Sequence, residues 1–233
     1  MPSFGLSHIW TQGDAVTKFI LLTLLTMSVL SWGMLWLKGW DLWKHRRSAQ
    51  AINGFWENGN WEDGLNTLKR SPTTLFWSLA CQTLEAIQEH RTSAGPANAG
   101  LDLNHWVSRS LRHDLDAQTQ RLKSGLALLA SIGSTAPFVG LLGTVWGIYH
   151  ALVAMGQSGQ ASLDAVAGPI GETLIMTARG LAVAIPAVLG YNALVRGNIW
   201  VVHQLNQFAH GLLTELLTGQ RLSQVTQERA NGI

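Results

Sequence analysis

Polar and apolar positions along this chain are segregated on a coarse scale and patterned on a fine one. No Asp, Glu, Lys or Arg lies between Lys18 and Lys38, or between Lys123 and Asp164. Each gap reaches the ~20 apolar residues that a helix needs to cross a bilayer. A third apolar stretch covers about 170–194 and is interrupted by Glu172, Thr173, Thr177 and Arg179. The pattern predicts an all-α membrane protein with transmembrane helices over roughly 16–37, 126–153 and 168–194.

Within the second span, Gly133, Ala136, Gly140, Gly143, Thr144, Gly147 and Ala151 recur at steps of three and four. In water each glycine would cost a helix roughly 1 kcal/mol relative to alanine. In lipid, a small-residue stripe lets a neighbouring backbone come close, and packing is what drives association there. The third span has a matching face, with Thr173, Thr177, Gly180 and Ala184 at i, i+4, i+7 and i+11. Pro137 and Pro186 fall inside spans two and three and predict packing kinks.

The segments outside the spans read as helices and linkers. Residues 1–15 precede the first span, and 38–125 form a helical domain. Asn60 ahead of WEDGL suits an N-cap, and Ser71-Pro72 suits another helix start. TSAGPANAG at 92–100 reads as a loop. From about Leu103 the apolar series Trp106, Val107, Leu111, Leu115 resumes a helix that could run unbroken into span two. Residues 154–167 form the loop between spans two and three. Span three is expected to continue into 195–233, where Val202, Leu205, Phe208, Ala209, Leu212, Leu213 and Leu216 make one amphipathic stripe.

Charge orients the spans. Lys38, Lys44, Arg46 and Arg47 follow span one, Arg121 and Lys123 precede span two, and Arg196 follows span three. The 154–167 connector has neither Lys nor Arg. Basic flanks favour the cytoplasmic side, so the N-terminus is expected outside and the C-terminus inside. The first run is too long, and too far from the N-terminus, for a signal peptide, and its basic cluster lies on the wrong side of it. Trp32, Trp36, Trp40 and Trp43 follow one helical stripe and read as an anchor at the headgroup level.

Composition narrows the chemistry. Only 13% of the 233 residues are charged, against about 25% in a typical soluble domain. The net charge of +2, without a basic stripe, gives no case for nucleic acid. Cys81 is the single cysteine and the eight histidines are scattered, so no metal site and no cofactor is expected. No phosphate loop, nucleophile elbow or paired carboxylate argues for an enzyme.

What remains are polar residues inside spans. Glu172, near the outer end of span three, reads equally as a lumen-facing carboxylate or as an interfacial residue. Thr144, Thr173 and Thr177 offer hydroxyls on the close-packing faces, although a lone membrane threonine often bonds its own helix. Arg179 shares a face with Glu172, two turns away. Even the lenient insertion scale charges a mid-span arginine about 3 kcal/mol, so it is expected to face protein or a lumen.

The stretches APFVGLLGTVWGIYHAL, AVAGPIGETL and GLAVAIPAVLGYN resemble the MotA/TolQ/ExbB proton-channel family, its ExbB branch above all. The resemblance is close over about 126–198. It implies a homo-oligomeric ring in the bacterial inner membrane, a pentamer, that encloses transmembrane helices of ExbD. It further implies that an ExbD carboxylate carries the proton and that the resulting motion reaches outer-membrane transporters through TonB. Family pore positions fall on Thr144, Glu172 and Thr177. The close-packing positions are Gly133, Gly140, Gly143, Gly147 and Gly180. The TolQ role, energising envelope constriction, and a passive membrane scaffold are the competing readings. Where the family pattern has a small or apolar residue before the glycine, this chain has Arg179.

Overall fold

In the computed structural model, residues 14–57, 61–69, 75–92, 103–158 and 163–218 are described. All of the described regular structure is helical: α1 (Ala15–Glu57), α2 (Trp61–Lys69), α3 (Leu75–Thr92), α4 (Leu103–Lys123), α5 (Leu126–Ser158) and α6 (Leu163–Thr218). Three stretches are long and apolar enough to cross a membrane, Ala15–Trp56, Asn104–Gln157 and Ile170–Leu216. Asn60 and Ser71-Pro72 lie outside the described residues, as does most of the 92–100 segment.

The helices contribute to two compact units. One contains Met1–Lys38 and Gly125–Leu194; the other contains Gly39–Ser124 and Val195–Ile233.

The second unit is built like a water-soluble core. Phe55, Leu68, Phe76, Leu79, Val107, Leu111, Val201, Leu205, Phe208 and Leu212 are among its buried residues. The amphipathic stripe read between Val202 and Leu216 supplies one wall. The Phe208 ring stands 5.3 Å from Phe55, 5.8 Å from Trp56 and 5.9 Å from Phe76. All three contacts are edge-on, the arrangement that ring quadrupoles favour. The end of α4 is closed from a distance. The buried Asn198 amide donates to the Leu122 carbonyl at 2.8 Å, satisfying one of the orphan acceptors that every helix C-terminus presents.

The helix expected to run from Leu103 into span two is interrupted. Gly125 adopts φ +79° between α4 and α5. This left-handed conformation is strained for a residue with a Cβ. A Cβ there would also strike the Met34 methyl. At span three the expectation of continuity holds, since α6 runs without a break through Arg196 to Thr218. The connector read as a loop over 154–167 is shorter than expected, because helix persists to Ser158 and resumes at Leu163. Antiparallel helices need only a few linking residues.

In the first unit, α5 and α6 pack antiparallel through the small residues singled out above. A Cβ on Gly147 would meet Thr173, one on Gly140 would meet Met176, Thr177 and Gly180, and one on Gly133 would meet Val188. Thr144 meets Thr177 in the same series, and Ala136 and Ala184 join one buried cluster. Steps of three or four residues along α5 are therefore matched by steps of three or four back along α6. The tightest point is the crossing of Gly140 and Gly180. A Cβ on Gly180 would come 2.6 Å from the Ala136 carbonyl oxygen and 3.0 Å from the Gly140 Cα. These obstacles are backbone and cannot rotate away.

α1 covers a neighbouring flank through Ile20, Leu24 and Met27, and Leu35 occupies the notch left by Gly190. Its other face stays open, with Phe19, Leu22, Leu25, Val29, Trp32 and Trp36 exposed. Apolar exposure on this scale is untenable in water and suits a helix bathed in acyl chains.

The contacts at Gly140 lead to a prediction. Gly140→Ala forces α5 and α6 apart and is expected to cost about 1–3 kcal/mol or more, the usual range for overpacking. Gly156→Ala adds its methyl to open space and gains helix propensity, so it is expected to be neutral or slightly stabilising. Thermal unfolding of the two purified variants in the same detergent should rank them in that order.

Candidate functional site

The threonine pair lies one turn from the Gly140–Gly180 crossing. Thr144 is 4% exposed. Its hydroxyl donates to the Leu141 carbonyl at 2.7 Å, as expected of a threonine in an apolar helix. Thr177 is half-buried and its hydroxyl approaches the Thr144 oxygen at 3.5 Å. That separation exceeds the roughly 2.5–3.0 Å of a good O–H···O bond. The contact is weak, and the Thr177 hydroxyl can turn to another group at little cost. Thr173 bonds back to the Ile170 carbonyl at 2.8 Å while its methyl fills the notch at Gly147.

The structure brings Thr144, Thr173, Thr177, Gly133, Gly140, Gly143, Gly147 and Gly180 into one seam. The sequence suggested that these small faces await some neighbouring helix. Within this chain they meet each other.

Glu172 and Arg179 belong elsewhere on α6. At about 100° per residue, both point to the flank shared with Val183 and Gly190, which α1 covers. Arg179 is turned about 160° from Thr177 by the same reckoning. Its guanidinium rests on the Met176 sulfur at 3.9 Å, and among the described residues no ion pair involves it. Glu172 is half-buried. Pro137 and Pro186 both lie within continuous helix.

A contact that residue order did not reveal closes the end of the unit remote from Gly125. The His150 Nε2 lies 3.3 Å from the Asp14 carboxylate, and the His150 ring packs 4.8 Å from Trp146. Both ends of the pair are solvent-accessible, so little stability rests on it. Asp14 immediately precedes α1 and is the one acid before the first span, the only sequence hint available.

Outside the spans, burial raises the Asp114 carboxyl above the ordinary range; the His113 charge opposes this and Glu85 adds to it. Burial, with Glu85 alongside, also raises the Cys81 thiol. Cys81 is thus held as a thiol, the unreactive form. Among the described residues no group of His, Cys, Asp and Glu could hold a metal ion.

The chain has recognisable relatives among known proteins. Residues 84–207 match the family model described as the MotA/TolQ/ExbB proton channel family. The chain is 39% identical over 233 residues to a biopolymer transport protein ExbB of Xanthomonas campestris pv. campestris, covering 95% of this chain and 92% of that protein. A biopolymer transport protein ExbB of Neisseria meningitidis is 39% identical over 215 residues, covering 91% and 97%. A Tol-Pal system protein TolQ of Pseudomonas aeruginosa is 31% identical over 196 residues, covering 78% and 79%. On both the family match and the near full-length identity, the chain belongs to the MotA/TolQ/ExbB proton channel family.

Proposed function

We propose that the protein is a proton-channel subunit of the inner membrane, of the ExbB kind. In this reading it forms a ring, a pentamer, around transmembrane helices of ExbD. Proton flow then drives work that TonB delivers to outer-membrane transporters. The observation that carries the reading is the Thr144–Thr177 contact, two hydroxyls held together at a glycine crossing inside a lipid-facing bundle. A hydroxyl can donate to an ionised carboxylate or accept from a protonated one, so the pair suits a partner acid that cycles between those states. Glu172, nearer the outer end, would raise the local cation concentration at the mouth.

The TolQ role has one specific observation behind it, the TolQ relatives. Identity of 39% to ExbB proteins against 31% to a TolQ favours the ExbB role. A passive scaffold would need no hydroxyl pair.

The threonines are tested by shape-conserving substitution. A hydrogen bond to a charged group is worth roughly 1.5–3 kcal/mol, which corresponds to about ten- to a hundredfold in a protonation equilibrium. The double variant Thr144→Val, Thr177→Val is expected to assemble with its one-span partner and to lose most iron-siderophore uptake. Normal uptake would refute the proton path, and uptake lost together with assembly would leave only a packing role.

Orientation is tested separately in a Cys81→Ser background. The proposed N-out, C-in arrangement puts Gln157→Cys within reach of an impermeant thiol reagent in intact cells and keeps Gln120→Cys protected until lysis. Labelling at Gln120 alone would invert the topology.

A further inference from the structure

Past its apolar run, one face of α1 changes from tryptophan to arginine. Trp36, Trp40, Trp43 and Arg47 follow one another at steps of four, three and four, so Arg47 continues the tryptophan stripe by one turn. The three indoles are each more than half exposed, and Arg47 is exposed as well. Its guanidinium turns back over the Trp43 ring, 5.6 Å from the centroid. The neighbouring Arg46 reaches to α6 and covers the Trp200 ring at 5.9 Å. Trp200 is exposed, as is Arg196 one turn before it.

Neither guanidinium is neutralised within the chain. Among the described residues no ion pair involves Arg46 or Arg47. Asp41 is the only acid in residues 38–56, and residues 190–214 contain none. By helical geometry Asp41 stands about 120° around α1 from Arg47. Stacking on an indole takes up the flat face of a guanidinium and restrains it. The N–H groups lie in the guanidinium plane and stay free to donate. Two such forks on consecutive residues suit the paired oxygens of a phosphodiester.

The surroundings select the source of that phosphate. Helical side chains lean towards the N-terminus, which on α1 is towards the apolar run, and Arg47 does so over Trp43. A soluble phosphate has no use for the exposed indoles that lead up to the arginines. The glycerol and first acyl carbons of a lipid would lie along them, at the level that tryptophan favours. A zwitterionic headgroup would bring its own cation among Lys44, Arg46, Arg47 and Arg196, so an anionic headgroup fits better. We propose that Trp43, Arg46 and Arg47 of α1, with Trp200 of α6, form a binding site for the phosphodiester of an anionic phospholipid. The site requires only that the helices cross a membrane, and it stands or falls apart from the proton path.

The test titrates the purified full chain, in a neutral detergent, with dioleoyl-phosphatidylglycerol and reads bound lipid by native mass spectrometry. Saturable binding is expected, tighter than that of dioleoyl-phosphatidylcholine. The double variant Arg46→Gln, Arg47→Gln should weaken phosphatidylglycerol binding by about tenfold or more, the worth of a single hydrogen bond to a charged group, and leave phosphatidylcholine binding unchanged. Arg46→Lys, Arg47→Lys keeps both charges but loses the flat forks, so it should recover only part of the affinity. Lys44→Gln, Lys123→Gln removes two charges from the same boundary without touching either stack, and should weaken binding by less than about threefold. Equal losses in the arginine-to-glutamine and lysine-to-glutamine variants would reduce the site to diffuse attraction. Full recovery by lysine, equal affinity for the two lipids, or displacement of the lipid by inorganic phosphate alone would likewise overturn the proposal. Siderophore uptake plays no part in the readout, so a failed proton-path reading cannot be mistaken for a failed lipid site.

Discussion

A side chain at position 140 or 180 would have to share space with main-chain atoms of the opposite helix. That steric constraint organises the membrane-embedded unit. With no Cβ on either side, α5 and α6 approach until backbone meets backbone, and the register is then set for the length of the pair. Thr173 drops into the notch at Gly147 and Val188 into the notch at Gly133. Lipid supplies no hydrophobic drive for helices to associate, so this interlock has to come from close packing alone.

The threonine contact is a product of that register. Neither hydroxyl would reach the other if bulky residues held the helices at an ordinary separation of about 8–10 Å. Thr144 is already satisfied by its own helix, and Thr177 is only weakly engaged. One hydroxyl is therefore fixed and one is adaptable. In the proposed function, the adaptable hydroxyl is the one that would follow a partner acid between its two protonation states. Arg179 and Glu172 fall on a different flank, so α6 carries two chemically distinct faces separated by its packed surface.

Much of this was legible from residue order. Two of the apolar stretches followed from charge-free gaps and the third from its apolar run around Glu172 and Arg179, and the small-residue faces of α5 and α6 followed from spacing in steps of three and four. The stripe from Val202 to Leu216 correctly marked a core-facing helix. What residue order could not give was pairing. It did not say that the two small faces fill one another, because glycine patterns specify close approach without naming the neighbour. The break at Gly125 was hidden because a single glycine within a helical pattern is usually tolerated. The Asn198–Leu122 and His150–Asp14 contacts join residues far apart in sequence, and periodicity is blind to such pairs. The separation of Arg179 from the threonine face was implicit in helical geometry but gained meaning only once α1 and α5 were seen to cover different flanks.

The central claim is that α5 and α6 lock in the register that sets Thr144 against Thr177. Disulfide formation tests it most directly, because a disulfide forms only when Cα atoms lie within about 4.4–6.8 Å and the Cβ vectors converge. In a Cys81→Ser background, the pair Thr144→Cys, Thr177→Cys should oxidise readily to an intramolecular disulfide in membranes. The pair Thr144→Cys, Leu181→Cys, one turn out of register, should stay reduced. Efficient bridging of the second pair in place of the first would contradict the register and, with it, the hydroxyl pair on which the functional reading rests.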